Sequence, residues 1–336
     1  MATIREVASR AGVSITTVSH VFNGTRRVGP ATEERVRAAI AELDYRPNAV
    51  ARSMRAKRTN TFAVLLPDNS NPFFADLARV ITNVSFDRGY TVILCNSDGD
   101  PEKEERYLEV LLSKQLDGLV IISTGESSKQ LRAVIDANVP VVIVDRDLDV
   151  PASRVMVDNH QGGFLAGRRL LELGHRRIGV ITGPEGVRPS SARLDGVRKA
   201  LDQAGVALPD AAVVVGDFRS GGGRTAMAKL LAGNLGLTAV FAENDLMAMG
   251  ALQASYDAGL SIPDDFSIIG FDDITGAAGA VPPLTTIAQP VEQMGETAVR
   301  LLIERTLEPS AAPQDVLLPV SLVERASCAS PRDEGR

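Results

Sequence analysis

Two cysteines in 336 residues, Cys95 and Cys328, are too few and too far apart in sequence to frame a disulfide scaffold, which fits a reducing compartment. No apolar run approaches the roughly 18 residues that a membrane span needs. The charged, amphipathic first residues lack the apolar stretch of a secretory leader, so a cytoplasmic location with no membrane partner is expected. The three histidines, His20, His160 and His175, are scattered, and no His/Cys spacing matches a metal site. A Gly-x-Ser-x-Gly elbow and a Gly-x-x-x-x-Gly-Lys phosphate loop are both missing. The nearest thing to a catalytic carboxylate pair is Asp272-Asp273, yet adjacent strand-end residues point to opposite faces. The sequence therefore predicts no catalytic residue, no metal and no cofactor, and argues against an enzyme.

What is present is unevenly charged. The total is −6, but residues 1–60 hold 11 Lys and Arg against 5 Asp and Glu, a net of +6, which leaves −12 for the rest. The basic end is the candidate for a polyanionic partner. A chain of this length and 44% hydrophobic content has room for two or three domains.

The pivotal stretch is Tyr45-Arg46-Pro47-Asn48 through Arg58. Pro47 blocks a helix before it, Asn48 can cap one after it, and no Gly or Pro follows up to Arg58. So short a helix is marginal in water because nucleation is costly. Its cations Arg52, Arg55, Lys57 and Arg58 suit either a solvated linker or a helix held by a polyanion. Upstream, Thr3 and Glu6 have capping-box spacing, and Ile4, Val7, Ala8 and Ala11 form an apolar helical stripe ended by Gly12. Ser14 can cap a second helix with Val18, Val21 and Phe22 on its apolar side. Pro30 opens a third, with Val36, Ala39, Ile40 and Leu43 on one face. Helix, glycine turn, helix and supporting helix is the helix-turn-helix plan. Ile15, Thr16, Thr17, Ser19 and His20 on the second helix are of types that can touch base edges or phosphates.

Ile4-Arg5-Glu6-Val7-Ala8, Ala11-Gly12-Val13-Ser14, Thr17-Val18-Ser19-His20-Val21-Phe22-Asn23, Tyr45-Arg46-Pro47-Asn48 and Ala51-Arg52-Ser53 together resemble the DNA-binding head and hinge of the lac-repressor (LacI/GalR) family, over about sixty residues. The resemblance implies a homodimer on a pseudo-palindromic operator, with recognition helices in successive major grooves and paired hinge helices wedging open the minor groove. It implies DNA-binding roles for Thr3, Ser14, Ile15, Thr16, Thr17, Ser19, His20, Asn23 and Arg26 in the head, and for Arg55 and the wedge Met54 in the hinge. The family usually has Leu where Met54 stands, and Ser where Gly29 stands, so the third helix loses a capping side chain.

Beyond residue 59, buried-type apolar runs at 61–66, 91–95, 118–123 and 141–144 alternate with helical stretches at 74–88 and 102–114. After 154–157 the rhythm restarts with helices at 161–173, 192–204, 223–231 and 246–258 between strands at 178–182, 212–215, 239–241 and 267–271. Two such series predict two α/β lobes of parallel strands flanked by helices. Ligands of such sheets bind beyond the strand carboxyl ends. Asn71, Phe73, Phe74, Asp145, Arg146, Phe218, Asn244, Phe271, Asp272 and Gln289 all follow or end strands, and Arg193 lies near the start of a helix. Carboxylates, amides, arginines and phenyl faces together form an inventory suited to a polyol, although any one of them could be a cap, turn or core residue.

The strings Asn71-Pro72-Phe73-Phe74, Val144-Asp145-Arg146, Ser191-Ala192-Arg193, Gly216-Asp217-Phe218, Phe241-Ala242-Glu243-Asn244-Asp245, Gly270-Phe271-Asp272 and Thr286-Ile287-Ala288-Gln289 resemble ribose repressors and ribose-binding proteins, and the whole region resembles a periplasmic-binding-protein-like core. The resemblance implies that Asn71, Asp145, Arg146, Arg193, Asn244, Asp272 and Gln289 bond sugar hydroxyls while Phe73, Phe74, Phe218 and Phe271 pack on the sugar's faces. D-ribose or a close pentose is the implied effector of a transcriptional repressor. A purine or nucleoside effector is the alternative, then a sugar-transport or sugar-hydrolysing protein. The expected layout is head 1–46, hinge 47–58, core 59–325 (lobe 1 at 59–158 plus 290–320, lobe 2 at 162–288) and flexible tail 326–336. Asp158-Asn159 falls at a lobe crossing or a surface turn. Leu77, Val80, Ile81 and Val84 form a stripe for the core or a dimer interface.

Overall fold

A computed structural model describes residues 2–23, 26–45, 58–123 and 129–332. The chain divides into two compact units, Met1–Thr59 and Asn60–Arg336.

In the first unit, α1 (Ile4–Ala11) starts at the Thr3–Glu6 capping box and ends at Gly12, whose φ of +64° favours a residue without Cβ. Ser14 Oγ accepts the Thr17 N–H at 3.1 Å and caps α2 (Ile15–Asn23). Gly29 gives α3 (Pro30–Glu42) no side-chain cap. Val7, Ala8, Ala11, Val18, Val21, Val36 and Ala39 close the core. Phe22, expected on the apolar side, is 42% exposed, because the small three-helix core is already filled by Val18 and Val21. The hinge stretch, with Met54 and Arg55, lies outside the described residues except for Arg58.

The second unit holds two six-stranded sheets. Lobe 1 is built on β1 (Thr61–Leu66), β2 (Thr91–Asn96), β3 (Gly118–Ile121), β4 (Val141–Val144), β5 (Ser153–Val157) and β11 (Asp315–Leu318), all parallel in the order β11-β5-β4-β3-β1-β2. Lobe 2 is built on β6 (Ile178–Thr182), β7 (Val213–Val215), β8 (Ala239–Ala242), β9 (Ser267–Asp272), β10 (Thr285–Ala288) and β12 (Ser321–Val323), in the order β12-β10-β9-β8-β6-β7, with β12 antiparallel. Helices cover both faces, which is why β1 is apolar throughout: Phe62, Val64 and Leu66 enter one core and Ala63 and Leu65 the other. On lobe 1, α4 (Pro72–Asp87) packs against α12 (Val291–Leu307), and a Cβ on Gly295 would come within 2.5 Å of Val80 Cγ1. The Leu77–Val80–Ile81 stripe is therefore core, which resolves its two readings. Among the described residues no helix is long and apolar enough to cross a membrane.

The chain passes between lobes three times: after β5, between β10 and α12, and between β11 and β12. The expected loose tail is corrected for 326–332. Ser327 is fully buried; its Oγ accepts the Thr285 N–H at 2.8 Å and donates to Ile268 O at 2.6 Å, while the Ala329 N–H donates to Ser267 Oγ at 3.1 Å. This segment satisfies the backbone of β9 and β10, so its polar residues are anchors. Ser327→Ala orphans the Thr285 N–H and should lower stability by about 1–3 kcal/mol, measured by urea denaturation.

Candidate functional site

The polar residues that follow the strands meet where the two lobes face each other. From lobe 1, Asp145 directly follows β4 and is almost fully buried, and Arg146 Nη1 pairs with its Oδ2 and donates to its carbonyl at 3.0 Å. Asn71 caps α4 by accepting the Phe73 N–H at 3.0 Å, which fixes Phe73 and Phe74 edge to face with centroids 5.2 Å apart. The Arg146 guanidinium stands 5.9 Å over the Phe74 ring. From lobe 2, Asp272 Oδ1 accepts from Gln289 Nε2 at 2.8 Å. Phe218 has its ring against Gly183, where a Cβ would lie 2.0 Å from Phe218 Cζ, and its carbonyl accepts from Asn244 Nδ2 at 3.0 Å. Asn244 also caps α10 (Asp245–Asp257) through the Met247 N–H. Asp145, Phe218, Asp272 and Asp273 all hold positive φ (60, 62, 115 and 59°), a concentration of unfavourable backbone at one place.

Arg193, on α8 (Arg188–Gln203), is the hub. It is 4% exposed, its guanidinium lies 3.6 Å over the Phe271 ring, Nε donates to Asn159 Oδ1 at 2.8 Å, and Nη1 donates to Glu243 O. Glu243 is fully buried, and its Oε2 accepts from the Gly183 N–H at 2.8 Å and from Ser190 Oγ. Burial pushes the Asp272 carboxyl up to about 7; Arg193 and Gln289 pull it back, Asp145 raises it and Arg146 lowers it. Those opposing charges come from both lobes and bear on one carboxyl. Asp245 is raised by burial and by the Asp272 charge, against hydrogen bonds from Thr286 and Ile274.

Burial likewise pushes Glu243 up to about 7, against hydrogen bonds from Ser190 and Gly183 and the Arg193 charge. A value above the ordinary 4.5 means that the folded chain keeps a proton which the unfolded chain releases. The stabilising contribution is whole below pH 4.5 and is lost as pH rises through 7. Glu243→Gln has no such proton. Its stability relative to wild type should therefore rise between pH 4.5 and 8, by up to about 3 kcal/mol, read from urea denaturation across that range.

Sequence comparison decides which proteins this arrangement belongs to. The model described as bacterial regulatory proteins, lacI family, matches residues 3–48, and the one described as a periplasmic binding protein-like domain matches 168–328. The chain is 42% identical over 330 residues to the ribose operon repressor of Escherichia coli (strain K12), covering 97% of this chain and 100% of that one. The chain is a member of the lacI family. It is also 42% identical over 335 residues to the HTH-type transcriptional repressor PurR of Yersinia enterocolitica, covering 98% and 97%. Among solved structures it resembles the lac repressor dimer bound to operator and the anti-inducer ONPF (TM-score 0.87, 30% identity, 98% and 99% covered). It also resembles a LacI family regulator from Enterococcus faecium with bound ribose (TM-score 0.73, 34% identity, 80% and 99% covered). As a lacI-family regulatory protein the chain is a regulator and not an enzyme.

In this lacI-family chain the expected DNA-contact residues Ile15 and Thr16 are exposed on the first turn of α2, while Thr17, Ser19 and His20 are half-buried. Ser14 and Thr3 serve as helix caps and remain exposed, as does Arg26. Within the core the structure brings together Asp145, Arg146, Arg193, Asp272 and Gln289. Phe271, expected to cover a sugar face, is corrected: it is fully buried, with Arg193 over one face and Gly162 against its edge, because it and Asp272 project from opposite sides of β9. Asp273 is tied to Arg325 Nη2 at 2.6 Å, which removes it from any carboxylate pair with Asp272. Sequence reasoning missed Glu243, Ser190 and Gly183 as supports of Arg193 and Phe218, and left Asn159 between a crossing and a turn. The signal for Glu243 was its carboxylate in an apolar strand end directly before the cap Asn244.

Proposed function

We propose that the chain is a homodimeric, sequence-specific DNA-binding repressor whose operator affinity is set by D-ribose or a close pentose held between its lobes. The observation that carries the effector reading is a set of orphaned acceptors. Among the described residues, Asp145 Oδ1 and Gln289 Oε1 are buried without a hydrogen-bond partner, and both belong to the cluster around Arg193 and Asp272. Each such acceptor costs about 1–3 kcal/mol unless it receives a donor, and sugar hydroxyls are donors. The ribose-bound structural relative and the ribose operon repressor support the same reading. The similarity to PurR favours a purine as the second reading. Against it, the Phe271 face that could stack a flat base is covered by Arg193.

The head 1–46 would place α2 in the major groove, and 47–58 would form the hinge, with Met54 as its wedge. A DNA partner also argues for the cytoplasm. Titration calorimetry with D-ribose and with guanine decides between effectors. Operator affinity, followed by fluorescence anisotropy, should change about 5- to 150-fold with saturating ribose. By linkage, ribose affinity should change by the same factor with operator present. Identical affinities with and without the second ligand would refute the coupling.

A further inference from the structure

Two ion pairs join the lobes at the margins of the cluster. Arg188 Nη1, on the first residue of α8, lies 2.6 Å from Asp147 Oδ2, two residues beyond Asp145. Arg219 Nη2, next to Phe218, lies 3.4 Å from Asp68 Oδ2, three residues before Asn71. Both arginines come from lobe 2 and both carboxylates from lobe 1. The acceptors are held in readiness. Asp68 Oδ1 already takes the Ser70 N–H at 2.9 Å and the Ser70 hydroxyl at 2.6 Å, which turns Oδ2 toward Arg219. Asp147 Oδ1 is 3.7 Å from Arg154 Nε, and Arg154 is itself fixed by Asp315 at 3.1 Å and by Leu148 O at 2.8 Å. Asp98 adds a second acid beside Arg219: its carboxyl is held below the usual range by Lys103 first, with Arg219 contributing.

We propose that Arg188 and Arg219 are positioning residues that latch the two lobes over the effector and so set its affinity without touching it. The proposal rests on the effector reading above. A sugar bonded by both lobes binds only when they are together, so its apparent affinity is the intrinsic one multiplied by the fraction of molecules in that arrangement. Exposed ion pairs shift such an equilibrium only about 1.5- to 5-fold each, and the arginines here are 65% and 63% exposed. Two pairs acting on one motion multiply. Because an uncharged pentose has no ionic-strength dependence of its own, a salt-dependent sugar affinity is the signature of the latch: screening shortens from about 10 Å at 0.1 M to about 3 Å at 1 M salt.

The test uses the full chain and D-ribose in titration calorimetry at low and high salt, with X-ray scattering of the sugar-free protein alongside. The double variant Arg188→Ala/Arg219→Ala should bind D-ribose roughly 3- to 20-fold more weakly than wild type at low salt, and the gap should close at high salt. Arg219→Glu, facing Asp68 and Asp98, should be weaker than Arg219→Ala, and Arg219→Lys, which keeps the positive charge, should stay within about twofold of wild type. Sugar affinity independent of salt and of both arginines would overturn the latch while leaving the effector reading intact. If wild type ignores D-ribose, the effector reading fails, and scattering still judges the latch. A radius of gyration larger in the double variant than in wild type at low salt supports it, and an unchanged one overturns it.

Discussion

Arg193→Ala is expected to weaken D-ribose binding at least 100-fold in calorimetry, while sugar-free operator affinity stays within about twofold of wild type. Truncating one member of a buried, hydrogen-bonded charged set costs about 2–5 kcal/mol, and Arg193 holds Phe271, Asn159 and Glu243 at once. Its loss strips the Phe271 face of its cover, leaves Asn159 Oδ1 and Glu243 O without their donor, and removes the positive charge that most lowers the Asp272 carboxyl. Asp272 would then hold its proton to higher pH and present a different face to a sugar hydroxyl. A loss below tenfold would show that the guanidinium does not carry the contact.

The second large effect lies behind Arg193. Gly163→Ala is expected to destabilise the protein by about 3 kcal/mol or more, since added atoms in a packed contact force backbone apart, and to take ribose binding with it. The helices α7 (Asn159–Glu172) and α8 meet through glycines. A Cβ on Gly163 would stand 1.9 Å from the Arg193 carbonyl oxygen, and one on Gly196 would stand 2.0 Å from His160 O. These are backbone atoms, so no rotamer change relieves the clash, and α8 can yield only by carrying Arg193 off its ring. Gly221→Ala is the control, because nothing lies within 4 Å of its Cβ position. That substitution should leave melting temperature and sugar affinity essentially unchanged.

The sequence disclosed whichever parts speak in local patterns. Strands buried on both faces read as short apolar runs, and the residues after them supplied Asp145, Arg146, Asp272 and Gln289. Phe271 misled because an aromatic at a strand end carries no mark of which face it takes, and a one-residue difference in parity separates a wall from a foundation. Glu243, Ser190 and Gly183 stayed hidden because their partners are distant: the Glu243 bond to Gly183 spans 60 positions. The C-terminal strands escaped for a related reason. β11 is only four residues long and alternates exposed and half-buried side chains, and its partner β5 lies 161 positions earlier, measured from Asp315 to Arg154. Residues 326–332 look like a polar tail until the edges of β9 and β10 are in place to receive them.

The three crossings leave from neighbouring strands, β5 beside β11 in one sheet and β10 beside β12 in the other. Tethers set side by side resist sliding and torsion but bend together, so the softest movement left to the core is a swing about the line they define. Whatever small molecule fills the gap can therefore transmit only an angle, and a mutation that stiffens any one tether should damp that angle without altering the grip on the molecule itself.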